Sequence, residues 1–263
     1  MRSFQMRRVT MRADFLGLPI DLLTHEETVN RAIDAMLTRK TTHHVAMNVA
    51  KLVKAQTDPE LKRDVAQSHI VGVDGMGIVW GARALGIKVP ERVAGVDLME
   101  SLLAICAAHD FRPYFLGARH HVLEKALINA LHRWPGLRFA GYRDGYFSRE
   151  EEPLIVERIR KSRADCLFIA MPTPRKERFL AQYRDALEVP FIMGVGGAVD
   201  VLAGYVKRAP RGMQSSGLEW LYRSCQEPRR MWWRYASTNA KYAAMLGKEI
   251  AKRAFVGDRP QHQ

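Results

Sequence analysis

Several short segments place a carboxylate, an amide or glycines directly after an apolar run, the arrangement from which a nucleotide-type site can be built. Asp74-Gly75-Met76-Gly77 follows the apolar stretch 69–73, Asn48 follows 43–47, and Gly194-Val195-Gly196-Gly197 ends the run that begins at Val189. Gly117, Asp144-Gly145 and Met171-Pro172 stand at equivalent places. In an open parallel sheet, ligands bind beyond the carboxyl ends of the strands, so these residues together outline a polar crevice. Asp74 has two roles open to it. It could act as a general base, or it could cap a helix beginning near Met76. Gly196 and Gly197 could bring backbone N–H groups close to a phosphate.

The same pass excludes several chemistries. Val199 stands where the third glycine of a GxGxxG dinucleotide fingerprint would fall, and no GxxxxGK[ST] loop is present. No D-x-D occurs. The carboxylate pair by which many nucleotide-sugar transferases hold a divalent metal is therefore missing, and charge on a leaving diphosphate must be met by arginines and backbone dipoles. The histidines His43, His44, His120 and His121 come as adjacent pairs, which point apart on a strand or a helix and make no metal site unaided.

The elements that must position these residues alternate regularly. Thr24 and Glu27 form a capping box opening a helix to about Leu37. A strand at 43–47 precedes a helix from Asn48 to Gln56, and Asp58-Pro59 opens another. Strands are expected at 69–73, 113–116, 137–142, 166–170 and 189–195. Helices are expected at 76–85, 97–108, 120–134 and 150–163, with Thr173-Pro174 capping and starting one that runs to about Leu187. This pattern predicts an α/β fold, a Rossmann-like, mostly parallel sheet with helices on both faces. It assigns residues 1–200 to a catalytic domain. From about Val201 the strands stop, and residues 201–263 read as a basic helical C-terminal appendage.

With 263 residues, 47% of them hydrophobic, the chain can bury one substantial core. Its net charge of +13 favours anionic partners: nucleic acid, anionic lipid, or nucleotide and pyrophosphate substrates. Cys106, Cys166 and Cys225 form no CxxC pair, which points to buried thiols in a reducing cytoplasm rather than to disulfides or zinc. The basic N-terminus lacks the apolar core of a secretory signal, and no apolar run approaches the roughly 20 residues of a membrane span. In the appendage, Trp220, Tyr222, Trp232, Trp233 and Tyr235 are interleaved with Arg223, Arg229, Arg230 and Arg234. Such a segment suits a bilayer interface, a nucleic acid, or a packed helix whose arginines are solvated. It also offers a surface for self-association into a homo-oligomer.

Seven separated segments then coincide with one family. They are VDGMGIVWGARALG at 73–86, ERVAGVDLM at 91–99, PYFLGA at 113–118, GYRDGYF at 141–147, MPTPRKE at 171–177, GVGGAVDVLAGYVKRAP at 194–210, and GLEWLYR with EPRR at 217–230. In order and spacing the chain resembles the WecG/TagA/CpsF glycosyltransferases, which make lipid-linked precursors of cell-surface polysaccharides. The resemblance implies a UDP-sugar donor, commonly UDP-N-acetylmannosamine, a polyprenyl-diphosphate-linked sugar as acceptor, and inversion at the anomeric carbon without a metal or other cofactor. It puts the general base on Asp74 and an active-site amide on Asn48. Arg92, Gly117, Glu177, Gly196, Gly197 and Asp200 become substrate-binding residues, and Arg223 and Arg230 would cover the diphosphate.

Two positions depart from the family pattern. Ala46 replaces the threonine of a T-x-N segment, and Lys176 replaces the glutamine of P-x-Q-E. These changes leave room for glucose or another hexose as the transferred sugar. The expectation is an enzyme lying on the cytoplasmic face of the plasma membrane, with an anionic membrane surface and no nucleic acid among its partners. A basic nucleic-acid-binding module and a non-catalytic membrane scaffold are the readings of other classes.

Overall fold

The computed structural model describes residues 12–210, 212–213, 218–226 and 228–257. The chain opens with a hairpin, β1 (Arg12–Phe15) and β2 (Leu18–Asp21). Helix α1 (His25–Thr38) starts at the expected capping box, with Thr24 accepting from the Glu27 N–H. Then come β3 (Thr42–Met47), α2 (Val49–Ala55), α3 (Pro59–Ala66), β4 (Ile70–Val73), α4 (Met76–Ala84) and α5 (Gly95–His109). They are followed by β5 (Pro113–Gly117), α6 (His120–Arg133), β6 (Gly141–Arg143), α7 (Glu152–Ser162), β7 (Cys166–Ala170), α8 (Arg175–Tyr183), β8 (Phe191–Gly194) and α9 (Ala198–Leu202). Two helices finish the chain, α10 (Glu219–Gln226) and α11 (Pro228–Gly257).

Strands β3 to β8 form one sheet in the order β4-β3-β8-β7-β5-β6, with every pair parallel. Except for the edge strand β6, its strands are buried on both faces and therefore read as largely continuous apolar runs rather than as alternating patterns. On one face Phe115, Phe168, Phe191 and Met193 pack against α1, α5, α6 and α9. On the other, Val45, Met47, Val71 and Val73 meet α2, α3, α4 and the hairpin, while Leu116, Leu167, Ile169 and Ile192 meet α7 and α8.

The sequence reading needs correction in four places. The hairpin was not foreseen, because its two-residue turn holds Leu16 at φ 53° and Gly17 at φ 78°. Hairpin turns with both central residues at positive φ normally carry Asn, Asp or Gly. The strand expected at 137–142 pairs only over Gly141–Arg143, since β6 is a short edge strand beside β5. Thr173 does not cap α8. The Thr173–Pro174 peptide is cis, Pro174 occupies the N-cap position, and the helix ends at Tyr183 rather than near Leu187. Cys225 is exposed, although Cys106 and Cys166 are buried as expected.

The hairpin closes the β4 edge of the sheet. Asp21, buried, accepts from the Val71 N–H (2.6 Å) and receives both Nε and Nη2 of Arg12 (2.9 and 2.7 Å). One carboxylate thus satisfies an edge N–H that would otherwise be open to strand pairing. At the other end of the chain, α11 packs back onto this half of the molecule. Tyr242 enters the core and donates to the Gly77 carbonyl (2.6 Å), and Arg253 donates to the Leu85 carbonyl (2.8 Å). Asp21→Ala leaves the buried Val71 N–H without its acceptor and Arg12 with only the Ser68 and His69 carbonyls, and should cost about 2–3 kcal/mol in urea denaturation. A loss below about 0.5 kcal/mol would remove Asp21 from any structural role.

Candidate functional site

The chain leaves β3 for α2 on one face of the sheet and leaves the adjacent β8 for α9 on the other. Neighbouring loops diverging to opposite faces open a crevice at the carboxyl edge. A cavity of about 710 Å³ lies there, within the usual range for a small-molecule site. Asn48, Asp74–Gly77, Arg92, Gly95, Thr173, Lys176 and Gly194–Ala198 line it from the sheet side. Glu219 of α10 and Thr238, Asn239, Tyr242, Ala243 and Leu246 of α11 complete the wall.

Asp74 is fixed by its backbone. Its N–H donates to the Met47 carbonyl (2.8 Å), which sets it beside Asn48. The Val93 N–H donates to the Val73 carbonyl (2.8 Å), returning the chain so that Arg92 flanks the same spot. Asp74 does not cap α4: the N-cap is Gly75, at φ 154°, with no side-chain cap bond. Its carboxyl group instead accepts from the Gly95 N–H at the start of α5. Burial pushes its pKa up to about 6, against the opposing pull of Arg92 and that N–H; Glu219 adds to the rise. A carboxyl group poised near 6 is mostly ionised at neutral pH and retains useful basicity.

Asn48 does cap a helix. Its Oδ1 accepts from the Lys51 N–H (2.9 Å), leaving the amide nitrogen as the group it can offer a ligand. Arg92 donates to Glu219 (2.9 Å), and Glu219 lies 3.8 Å from Arg208, which in turn pairs with Asp97. This chain of charges ties α10 to α5 across the cavity mouth.

Three expected site residues stand outside the cavity lining. Gly117 lies beyond β7, where a side chain would meet the Ala170 backbone at 2.5 Å, so its glycine has a packing reason. Asp200 is on α9, where its carbonyl accepts from the Tyr205 and Val206 N–H groups. Glu177 sits just behind the wall, with Lys51 (3.0 Å), Lys176 (2.9 Å) and Thr173 (3.1 Å) all meeting its Oε1. Asp144-Gly145 is likewise remote, the Asp144 carboxylate being engaged by Arg143 and the Tyr146 N–H. Gly196 and Gly197 do line the cavity. The side chains of Arg223 and Arg230 lie outside the described residues. Lys51, Trp80, Glu219 and Tyr242 were not picked out as site residues; of these, Trp80, inside VDGMGIVWGARALG, and Glu219, inside GLEWLYR, carried a sequence signal.

His43 and His44 point to opposite faces of β3 and are both buried. Burial lowers them to about 3 and about 4, so both are neutral. Among the described residues, no three His, Cys, Asp or Glu side chains are grouped to hold a metal ion, and no helix is long and apolar enough to cross a membrane.

The folded pKa of Asp74 lies above its unfolded value, so its favourable contribution is present below about pH 4 and lost as pH rises through about 6. Asp74→Asn keeps an acceptor for the Gly95 N–H and removes that loss. At pH 8 the variant should be more stable than the native chain by about 1–3 kcal/mol, with the gain vanishing near pH 4. A destabilised variant in urea melts at pH 8 would mean that the carboxylate is structural.

With the site described, one comparison bears on it. The model of the glycosyl transferase WecG/TagA/CpsF family matches residues 13–255, which include every strand pair of the six-stranded sheet, the cavity lining, α10 and all but the last two residues of α11. That is nearly the whole chain, and the chain belongs to the WecG/TagA/CpsF family of glycosyltransferases.

Proposed function

We propose that the protein transfers a hexose or N-acetylhexosamine, with N-acetylmannosamine as the default and glucose as the alternative, from a UDP-sugar to a polyprenyl-diphosphate-linked acceptor in cell-surface polysaccharide synthesis. The observation carrying this reading is Asp74: a carboxyl group with pKa near 6, held at the wall of a cavity at the sheet's switch point. Asp74 takes the proton from an acceptor hydroxyl. The oxygen attacks the anomeric carbon from the face opposite the nucleotide, and the bond to the β-phosphate breaks with its electron pair leaving on UDP. One displacement inverts the anomeric centre. In the absence of a D-x-D, cationic side chains rather than a carboxylate-held metal meet the charge growing on the diphosphate. Asn48 would orient a hydroxyl through its amide nitrogen, and Arg92 would steady the Asp74 carboxylate.

The base assignment has a direct test. Asp74→Asn should lower kcat by about a hundred- to ten-thousand-fold with little change in KM for the donor. In the native enzyme, kcat/KM should fall about tenfold per pH unit below about 6, because the base must be deprotonated. Transfer from UDP-sugars to a soluble lipid-diphosphate acceptor analogue is the assay. Near-native turnover by the variant would sink the assignment.

The same reading lays the appendage on the inner face of the plasma membrane, with Arg229 and Arg234 meeting anionic headgroups while Arg230 covers the diphosphate. Because Tyr242 and Leu246 build the cavity wall, truncation before α11 would destroy the site, and charge reversal is the cleaner probe. Changing Arg229 and Arg234 to glutamate should weaken binding to phosphatidylglycerol vesicles tenfold or more, as expected at about 1 kcal/mol per basic residue. Unchanged vesicle binding would return this segment to an internal or self-associating role.

A further inference from the structure

Apart from Tyr242, the ionisable side chains lining the cavity are Lys51, Asp74, Arg92, Lys176 and Glu219. Arg92 and Glu219 neutralise each other at 2.9 Å. Lys51 and Lys176 share a single carboxylate, Glu177, and both approach the same oxygen, Oε1, at 3.0 and 2.9 Å. The side chains of the three are 5%, 10% and 1% exposed. Two buried ammonium groups against one carboxylate leave one positive charge unmatched. The surplus is local to this cluster: of the lining carboxylates, Glu219 is taken by Arg92, and Asp74 lies in electrostatic range of Lys51.

A structural role alone does not account for that excess. Tying α2 to α8 needs one lysine and one glutamate, and burying a second ammonium group against the same carboxylate adds a desolvation cost that no second carboxylate within the cluster offsets. An anion arriving from the cavity would offset that cost. The path is open: Lys176 runs across Gly194 at the end of β8, where any side chain would come within 2.6 Å of its Cε, and its Nζ is held by Thr173 Oγ1 (2.8 Å) beside Glu177. Burial, with the charge of Lys51 assisting and Glu177 opposing, lowers Lys176 to about 8. The groups meeting this cluster are Thr173 from the loop before α8 and Lys51 from α2; His43 of β3 lies in electrostatic range of Lys51 and Glu177, and His44, on the other face of that strand, in range of Lys51, both histidines being neutral. Asp64 of α3 lies in electrostatic range of Glu177, and Asp74 in range of Lys51.

We propose that Lys176, with Lys51, forms an anion subsite in the cavity wall that takes an oxygen of the donor's diphosphate or of a carboxylate on its sugar, making Lys176 a specificity-determining residue. The identity of the donor rests on the UDP-sugar reading above; the subsite itself does not.

The test compares the native chain with Lys176→Gln and Lys176→Arg by titration calorimetry, using UDP, UMP, inorganic pyrophosphate, UDP-glucose and UDP-glucuronate as probes. If the diphosphate is read, UDP should bind at least tenfold more tightly than UMP at pH 7. That ratio should shrink as pH rises through about 8, where Lys176 loses its proton, and should collapse in Lys176→Gln but survive in Lys176→Arg. If a sugar carboxylate is read, the UDP/UMP ratio stays level, while a preference for UDP-glucuronate over UDP-glucose disappears in Lys176→Gln. Pyrophosphate binding that is lost in Lys176→Gln, with no binding of any uridine nucleotide, would keep the subsite and overturn the UDP reading instead. Probe affinities and pH profiles that are the same in the native chain and in Lys176→Gln would overturn the subsite and leave the cluster as a strut.

Discussion

The site depends on one topological constraint: β3 and β8 are parallel neighbours whose following segments must leave on opposite faces of the sheet. Parallel strands cannot be joined by tight turns, so each crossover carries a helix and each helix has to cover apolar sheet surface. Where two adjacent crossovers diverge, neither covers the gap between them. Asn48 and Gly194–Gly197 stand at the two lips of that gap, and Asp74 is drawn to it by the hydrogen bond from its N–H to Met47. The catalytic candidates are therefore placed by main-chain geometry that apolar burial enforces, and not by contacts among themselves.

Buried charge is handled in this molecule in three distinct ways. Asp21 is buried but fully matched by Arg12 and a backbone N–H, and it acts as a fastener for the hairpin. Arg92 and Glu219 are matched one to one and couple α10 to the crevice. Asp74 and the Lys51–Glu177–Lys176 cluster are left unbalanced, one with a raised carboxyl pKa and the other with a surplus ammonium group. Buried charge that the fold does not itself neutralise is costly, and such groups gather where chemistry is done. In this molecule both unbalanced sets line, or back directly onto, the same cavity.

What could be read from residues alone follows from how local each signal is. The strand at 166–170 and the helix at 120–133 were legible because an uninterrupted apolar run and a 3.6-residue period need no tertiary information. The Thr24–Glu27 box and the Asp58-Pro59 start were legible for the same reason. The β1–β2 hairpin was not, because leucine at positive φ gives no turn signal. Residues 137–140 run beside β5 without joining its ladder, a distinction that depends on a partner strand. In the site, Asp74 and Gly196 were visible as polar or glycine residues at strand ends. Gly117 looked the same and yet serves the close approach of Ala170, so a strand-end glycine is ambiguous until its neighbours are known. Lys51 and Glu219 meet their partners across 126 and 127 residues of chain, and no spacing rule reaches that far.

The C-terminal helix binds fold and site together. The composition change near residue 201 marks a basic helical appendage, and within it α11 puts Tyr242 into the core on the β4 side and along the cavity wall at once. Its hydroxyl group reaches the Gly77 carbonyl only because Gly81, one turn further along α4, has no side chain; a Cβ there would lie 1.9 Å from that hydroxyl group. Gly77 in turn lets α4 approach Val49 of α2. Two small residues on one helix face thus allow α2, α4 and α11 to close around the crevice. The same packing makes α11 one wall of the cavity that holds Asp74, so any displacement of this helix changes the shape of that cavity through packed side chains.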